Sequence, residues 1–333
     1  MRMDLQKELW QGKIMTVHGL MSAQEMGITL PHEHLLCIHQ GPLVDLVDVD
    51  VATGELQRFK RAGGSTLVDM TTVGIGRDPL ALKKIASRTG VNIIMGTGYY
   101  KDAWLPPEVH DMSVEDMAQV MVREIIQGVG DTGIHAGIIG EVGVSRPITR
   151  TEEKILAASA RAQKETGAAM SVHFDTGTIE EHNEALDILE DEGADLNRVV
   201  IDHVVSRPDE VEHGKRLAAR GCYIEFELWG MHIWPKVNQM MGVNHEAQIA
   251  SLRWFIIAGL LDKILISQDI CNQVLLVKNG GFGYAHILND LVPKFKSYGI
   301  TNAEIHTIMV ENPKRLFPFQ FSGLDSLRKG EAA

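Results

Sequence analysis

Two histidines separated by one residue, His32 and His34, lie near the end of the stretch TLPHEHLL. Side chains of a β-strand alternate between its faces, so both imidazoles would point into one space and Glu33 would point away. Such a pair can supply two ligands to one metal ion. A surface strand of mixed polarity would give the same letters by chance, so the rest of the chain must decide between a metal site and a solvent-exposed strand.

Further histidines and carboxylates follow other short apolar stretches. These candidate ligands are Glu141 in GEVG, His173 in SVHFD, His203 in IDHV and Asp269 in SQD. A single buried polar residue at such a position is more often a hydrogen-bonded structural group than a ligand. Six residues at matching positions are difficult to explain in that way. Imidazole and carboxylate suit Zn, Mn, Fe, Co or Ni, and six ligands exceed the four of one tetrahedral zinc.

The number of ligands predicts two divalent metal ions, with zinc as the first expectation. The economical arrangement has three parts: His32, His34 and Asp269 on one ion, His173 and His203 on the other, and Glu141 bridging the two. A hydroxide held between two ions about 3.5 to 4 Å apart is a strong nucleophile at neutral pH. The predicted reaction class is therefore hydrolysis.

Eight apolar stretches alternate with helical patterns and predict the elements that would position these ligands. The predicted strands span residues 29–36, 65–72, 91–98, 135–144, 168–175, 198–204, 222–228 and 263–269. Eightfold alternation of strand and helix favours a (β/α)8 TIM barrel over a doubly wound sheet, and catalytic groups of such barrels lie at the carboxyl ends of the strands. We expect a single domain over residues 1–333, with a short N-terminal extension of about 28 residues over the base of the barrel.

Residues that favour helix ends support this division. Thr151, Ser113 and the Asp78-Pro79 pair are typical of helix starts. Glycines such as Gly90 and Gly167 come directly before predicted strands and are typical of helix ends.

Composition and charge limit the class of protein. The 333 residues are 44% hydrophobic and 23% charged, as in globular domains, and a net charge of -12 argues against a nucleic-acid partner. The absence of a signal-peptide pattern and of a stretch of roughly 18 apolar residues predicts a soluble, cytoplasmic protein with no membrane partner. Cys37, Cys222 and Cys271 are widely spaced within or beside apolar stretches, so we expect them to be core thiols.

From GITLPHEH through GTGYY, GEVG, SVHFD, IDHV and SQD to ENPKRLF, the chain resembles the phosphotriesterase family of the amidohydrolase superfamily. The resemblance covers nearly the whole chain and implies that the His32 set holds the more buried ion and the His173 set the more exposed one. In the best-known members a carbamylated lysine bridges the ions, whereas Glu141 stands at that position here, as in the glutamate-bridged branch. The resemblance also implies that Asp269 is catalytic and relays a proton, and that the protein is a homodimer.

Two positions depart from the family pattern. Phosphotriesterases proper relay the proton through a His and an Asp, and Leu228 and Ser206 stand at those positions. Lactonase members carry an Arg at the Leu228 position. The predicted substrate contacts are instead Tyr100, where lactonase relatives have a tyrosine, and three residues of the loops after strands: Lys101, Arg146 and Trp229.

Our first hypothesis is a binuclear metal-dependent hydrolase of a small carboxyl ester or lactone, with weak phosphotriesterase activity. The carbonyl class is favoured because the residues that relay the proton in triester hydrolysis are absent. The alternatives are an amidase acting on an N-acyl compound, a mononuclear deaminase and a non-catalytic binding protein. Glu141 argues against the deaminase, and the complete ligand set argues against the binding protein.

Overall fold

Eight parallel strands are hydrogen-bonded in chain order to form the central sheet. A computed structural model describes residues 2–38, 41, 44–174, 178–204, 210–233 and 244–321. The strands are β1 (Lys13–Thr16), β2 (Gly19–Ser22), β3 (Thr29–Glu33), β4 (Thr66–Asp69), β5 (Asn92–Thr97), β6 (Ile138–Val144), β7 (Ala169–Phe174), β8 (Val199–Ile201), β9 (Tyr223–Phe226) and β10 (Ile264–Ile266). β3 to β10 form the sheet, and β1 and β2 form a separate hairpin.

The last barrel strand returns to the first. The Asp269 N–H donates to the His32 carbonyl at 3.2 Å, and the His34 N–H donates to the Ile270 carbonyl at 3.3 Å. These bonds bring the sheet to a nearly closed barrel. All eight predicted strands are present, each within its predicted range and shorter than it, so the TIM-barrel prediction is confirmed.

Helices connect the strands and cover the outside of the barrel. They are α1 (Arg2–Trp10), α2 (Val49–Arg61), α3 (Pro79–Thr89), α4 (Pro107–Asp111), α5 (Val114–Ile126), α6 (Arg150–Thr166), α7 (Ile179–Asp191), α8 (Glu210–Ala219), α9 (His245–Ile257), α10 (Val292–Ser297), α11 (Asn302–His306) and α12 (Asn312–Leu316).

Most predicted helix ends are confirmed. The Asp78 side chain accepts from the backbone N–H of Ala81 before α3, and Ser113 forms a capping box before α5. Gly90 ends α3 in a left-handed conformation with φ 66°. The start of α6 is a correction: the cap is Thr149, whose side chain accepts from the Glu152 N–H, and the predicted cap Thr151 lies inside the helix.

The N-terminal hairpin closes the base of the barrel, as predicted. Ile14 of β1 and Met26 are fully buried against the apolar side chains inside the barrel. The Val17 N–H donates to the Ile93 carbonyl of β5 at 2.9 Å. A Cβ at Gly137 would overlap the carbonyl oxygen of Met15, so the approach of the hairpin to β6 requires glycine at this position.

The interior of the barrel changes from apolar to polar along the strands. The apolar layer next to the hairpin includes Val68, Ile94, Ile138, Ala169, Val200, Tyr223 and Leu265. Two residues further along β7, β8, β9 and β10 stand Ser171, Asp202, Glu225 and Ser267, all fully buried. Because side chains two residues apart share one face of a strand, these polar groups lie inside the barrel above the apolar layer. The predicted ligands follow at its carboxyl end.

The helices and the cysteines test two further predictions, on membrane spans and on core thiols. Within the described ranges, no helix is long and apolar enough to cross a lipid bilayer. Cys37, Cys222 and Cys271 are buried, as expected for core thiols. Burial raises the pKa of each thiol, that of Cys222 to about 12, which disfavours a thiolate nucleophile.

Candidate metal centre

The six predicted ligands meet at the carboxyl end of the barrel, and none is more than 7% exposed. They are His32 in β3, His34 after it, Glu141 in β6, His173 in β7, His203 after β8 and Asp269 after β10. Ligand atoms of His32, His34 and Glu141 lie within 4.8 Å of one another. The barrel thus brings together residues that are far apart in the chain.

Thr71 fixes the orientation of the His34 ring. The Thr71 hydroxyl donates to the Leu36 carbonyl at 2.9 Å, and its oxygen lies 2.9 Å from His34 Nδ1. Because the hydroxyl proton is already used, Nδ1 must donate, and Nε2 carries the lone pair of the neutral ring. That nitrogen lies 3.3 Å from Glu141 Oε1 and 3.4 Å from Asp269 Oδ1.

The carboxylate of Glu227 is fully buried and lies beside the Nδ1 atoms of two candidate ligands, His32 and His203. Its Oε1 lies 2.7 Å from His32 Nδ1, and its Oε2 lies 2.6 Å from His203 Nδ1. Oε2 also accepts the backbone N–H of His203 at 2.8 Å. A carboxylate in this position keeps a proton on each Nδ1 and turns both Nε2 atoms toward the site.

His173 is held by Tyr100 on its other side. The Tyr100 hydroxyl lies 3.1 Å from His173 Nε2. His173 Nδ1 points inward, 2.7 Å from Glu141 Oε2 and 3.0 Å from His203 Nε2. Two imidazole nitrogens that face each other at this distance need a proton or a cation between them, because two lone pairs would repel.

The two predicted carboxylate ligands lie among the imidazoles. Glu141 contacts histidines through both oxygens, and its Oε2 lies 3.5 Å from His32 Nε2. Asp269 Oδ1 lies 3.9 Å from His32 Nε2, and Oδ2 lies 3.9 Å from His203 Nε2. Glu141 therefore lies between residues predicted for both ions, where a bridging ligand would have to be.

The charges of the cluster shift pKa values in opposite directions. Burial alone raises the pKa of Glu141, but His173 and His34 beside it hold that pKa well below its usual range. Burial alone lowers the pKa of His203, but the Glu227 carboxylate outweighs it and raises the pKa to about 9. The cluster stabilises negative charge on Glu141 and positive charge near the imidazoles.

Three residues adopt a left-handed backbone conformation that favours glycine: His203 at φ 56°, Leu228 at φ 63° and Asp269 at φ 56°. All three follow closely on the ends of β8, β9 and β10. Each such conformation costs about 1–3 kcal/mol and is found mainly at functional sites. Two of the three residues are predicted ligands, which the turns direct into the mouth of the barrel.

The donor set fits divalent metal ions. Each of the four imidazoles has one nitrogen held by Glu227, Thr71 or Tyr100 and the other turned toward the carboxylates. Buried His32 Nε2 has no hydrogen-bond partner among the residues that the structure describes. Imidazoles and carboxylates in this arrangement are ligands of Zn, Mn, Co, Fe or Ni.

Two predicted substrate contacts lie beside the cluster. Tyr100 follows β5 and reaches His173 with its hydroxyl. Lys101 is 8% exposed, with Nζ 5.3 Å from the centre of the Tyr100 ring. A Cβ at Gly143 of β6 would overlap the backbone nitrogen of Lys101, so this loop packs directly on the strand that carries Glu141. The contact of Tyr100 and Lys101 with substrate stays a prediction.

The other two predicted substrate contacts have structural partners. Arg146 Nε forms an ion pair with Glu181 at 2.8 Å, and its side chain is 42% exposed. Trp229 is buried, donates its indole N–H to the Phe226 carbonyl at 3.1 Å and packs on Phe295. Trp229 is therefore packed among other side chains, and the contact of Arg146 and Trp229 with substrate stays a prediction. Ser206, at the second proton-relay position, lies outside the described residues.

Sequence reasoning missed the residues behind the ligands. It assigned none of the four residues Thr71, Asp202, Glu225 and Glu227 to the positioning of the ligands. One signal was available: Glu225 and Glu227 alternate in IEFEL, so both side chains share the face that points into the barrel.

Comparison with known proteins decides the family. The phosphotriesterase family model matches residues 12–317. The chain belongs to the phosphotriesterase family. This confirms the predicted family and the predicted class of hydrolase, whereas the bond that is cleaved needs a separate argument.

Three similar proteins give further detail. A phosphotriesterase-related protein of Nematostella vectensis is 38% identical over 93% of this chain and 99% of its own length. An N-acetyltaurine hydrolase of Dictyostelium discoideum is 35% identical over 92% of this chain and 97% of its own. The crystal structure of a resiniferatoxin-binding protein from Rhodobacter sphaeroides has a TM-score of 0.85 and 32% identity, covering 93% of this chain and 96% of that one.

Proposed function

We propose that this phosphotriesterase-family protein is a binuclear metal-dependent hydrolase of N-acyl amides. The observation that carries the proposal is the convergence of four imidazole nitrogens, each with its ring anchored on the opposite side, on the carboxylates Glu141 and Asp269. We expect zinc at both positions, in the arrangement of ligands that the sequence predicts.

The relatives favour the amide among the candidate bonds. Similar proteins from Dictyostelium discoideum and from Xenopus tropicalis, each 35% identical to this chain, are named N-acetyltaurine hydrolase. The chain spans 97% and 99% of their lengths. This supports the alternative hypothesis of an N-acyl substrate over the first hypothesis of an ester or lactone, which stays a prediction for the same site.

The residues of the site supply binding and proton transfer. When bound, two divalent ions generate a nucleophile from water at neutral pH and polarise the carbonyl group. Asp269 lies between the two sets of imidazoles and can accept the proton that water loses as its oxygen adds to the carbonyl carbon. The same proton then passes to the nitrogen as the C–N bond breaks, which gives a carboxylic acid and an amine.

Tyr100 and Lys101 are the groups proposed to orient the substrate. Tyr100 lies on the His173 side of the cluster, where it can place the scissile bond and keep bulk water out. Lys101 is a buried cation next to it, which favours a substrate that carries a carboxylate or sulfonate.

A substrate screen tests the proposal. The zinc-loaded protein would be assayed with N-acetyl aminosulfonates, N-acetyl amino acids, lactones and aryl esters, alongside the chelated protein and Asp269→Asn. We expect turnover of an N-acetyl compound that requires metal and is lost in the variant. Turnover confined to lactones or esters would instead support the first hypothesis. No metal-dependent turnover of any class would refute the proposed hydrolase.

A further inference from the structure

Three buried carboxylates form a second polar cluster inside the barrel, below the predicted ligands. Asp202, Glu225 and Glu227 are fully buried, and one ligand atom of each lies within 4.8 Å of the others and of His32. Among the described residues, the ion pairs of these three carboxylates involve only the imidazoles of His32 and His203. The cluster therefore brings three carboxyl groups together where burial makes unpaired negative charge costly.

Two of these carboxylates have donors, and the third has none. Asp202 accepts the Ser171 hydroxyl, with oxygen distances of 2.7 and 2.6 Å. Glu227 accepts the backbone N–H of His203 and forms ion pairs with the imidazoles of His32 and His203. Both oxygens of Glu225 lack a hydrogen-bond partner among the described residues, although the side chain is fully buried in this cluster. A buried, ionised carboxylate needs a donor or a cation, and the described side chains supply neither to Glu225.

The spacing of the cluster matches the coordination of one hard cation. Oxygen ligands lie about 2.3–2.6 Å from Ca²⁺, so two oxygens on opposite sides of one ion are about 5 Å apart. The 4.8 Å limit on the ligand atoms is within that span. Carboxylate oxygens suit Mg²⁺, Ca²⁺ and Mn²⁺, whereas the imidazole-rich mouth above suits zinc.

We propose that Asp202, Glu225 and Glu227 bind a hard divalent cation that is separate from the two ions of the catalytic site. This structural ion would neutralise the carboxylates and, through Glu227, help to hold His32 and His203 in position. The proposal is independent of the bond that the enzyme cleaves. The other candidate occupants are a shared proton and a buried water molecule.

Element-specific metal counting tests the proposal. The full chain would be stripped with a chelator, loaded with zinc, incubated with Ca²⁺ or with Mg²⁺ alone, desalted and analysed by plasma mass spectrometry. We expect one calcium or magnesium per chain in the wild type and none in Glu225→Gln, whose zinc content should not change. Glu55→Gln is the matched control, because Glu55 is a buried carboxylate outside this cluster that accepts the backbone N–H groups of Val277 and Lys278. It should keep the hard cation.

A crystal of the wild type soaked in Ca²⁺ gives a second readout that does not depend on how the variants fold. Density between the three carboxylates with oxygen distances of about 2.3–2.6 Å would support the proposal. No calcium in solution, an equal calcium content in wild type and Glu225→Gln, or density only at hydrogen-bond distances would overturn it. Because zinc is counted separately, this failure is distinguishable from loss of the catalytic metals.

Discussion

The base and the mouth of the barrel interior are built by the same strands but have opposite chemistry. On β8 the apolar Val200 is followed two residues later by Asp202, and on β10 the apolar Leu265 is followed by Ser267 and then Asp269. The base is a packed apolar layer closed by the hairpin, whereas the mouth holds buried imidazoles and carboxylates. One strand thus supplies stability at one end and chemistry at the other.

The two ends should respond differently to mutation. At the base, burial of apolar surface dominates, so truncation should cost stability and leave the mouth in place. At the mouth, buried polar groups and three left-handed backbone conformations lower stability. Substitution of the polar side chains there should therefore reduce activity more than it reduces stability.

The largest expected effect is the loss of Asp269, the proposed proton acceptor at the mouth. Asp269→Asn keeps the shape of the side chain but removes its basicity, so turnover of the substrate should fall by about 10²–10⁴-fold. Steady-state kinetics measure this change. Asp262→Asn, at an exposed carboxylate paired with Arg315, is the control and should be neutral. Equal activity of Asp269→Asn and wild type would remove Asp269 from the mechanism.

At the base, Leu265→Ala would create a cavity in the apolar layer. Leu265 is fully buried, so the free energy of unfolding should fall by about 2–5 kcal/mol, while kcat of the remaining folded protein should change less than twofold. Denaturant unfolding and kinetics measure the two quantities. Leu80→Ala is the exposed control and should change stability little. A large loss of kcat at full folding would mean that base and mouth are not separate.

Glu227→Gln tests the residue behind the ligands. The glutamine side chain has one oxygen that can accept an N–H group and one NH2 group that cannot. One of His32 and His203 therefore loses the acceptor at its Nδ1. We expect zinc affinity to fall by about 100-fold, the upper part of the usual range for outer ligands. Competition with a chromophoric chelator measures this affinity. Unchanged zinc binding in a folded variant would show that Glu227 does not position the ligands.

The smallest expected effect concerns Thr71, which fixes a single imidazole. Thr71→Val removes the oxygen that accepts from His34 Nδ1, and zinc affinity should fall by about 10-fold. Thr71→Ser keeps the hydroxyl and should restore most of the loss in the same chelator assay. If the serine variant binds zinc as weakly as the valine variant, packing of the methyl group rather than the hydrogen bond is responsible.

The sequence was sufficient for the fold class and for the end of the barrel at which the candidate ligands lie, because both depend on local pattern. Apolar stretches identified the strands, and His173 and His203 followed directly from where those strands end. The cap of α6 was placed two residues late, because Thr151 stands directly before Glu152; the capping box instead pairs Thr149 with Glu152, three residues later.

The residues behind the ligands could not be assigned from the sequence, since their role depends on contacts between distant strands. Glu227 reaches His32 across the barrel from β9 to β3, a contact that no local pattern reports. The burial of Trp229 could not be read from the sequence either, because it follows the left-handed turn at Leu228, and its contact with substrate stays a prediction.

The central claim is that the mouth of the barrel holds two metal ions joined by Glu141. Its most direct test is the zinc content of wild type and Glu141→Ala after chelation and reloading, measured by plasma mass spectrometry. We expect two zinc ions per chain in the wild type and at most one in the variant. One ion or none in fully loaded wild type, or two ions retained in Glu141→Ala, would contradict the claim.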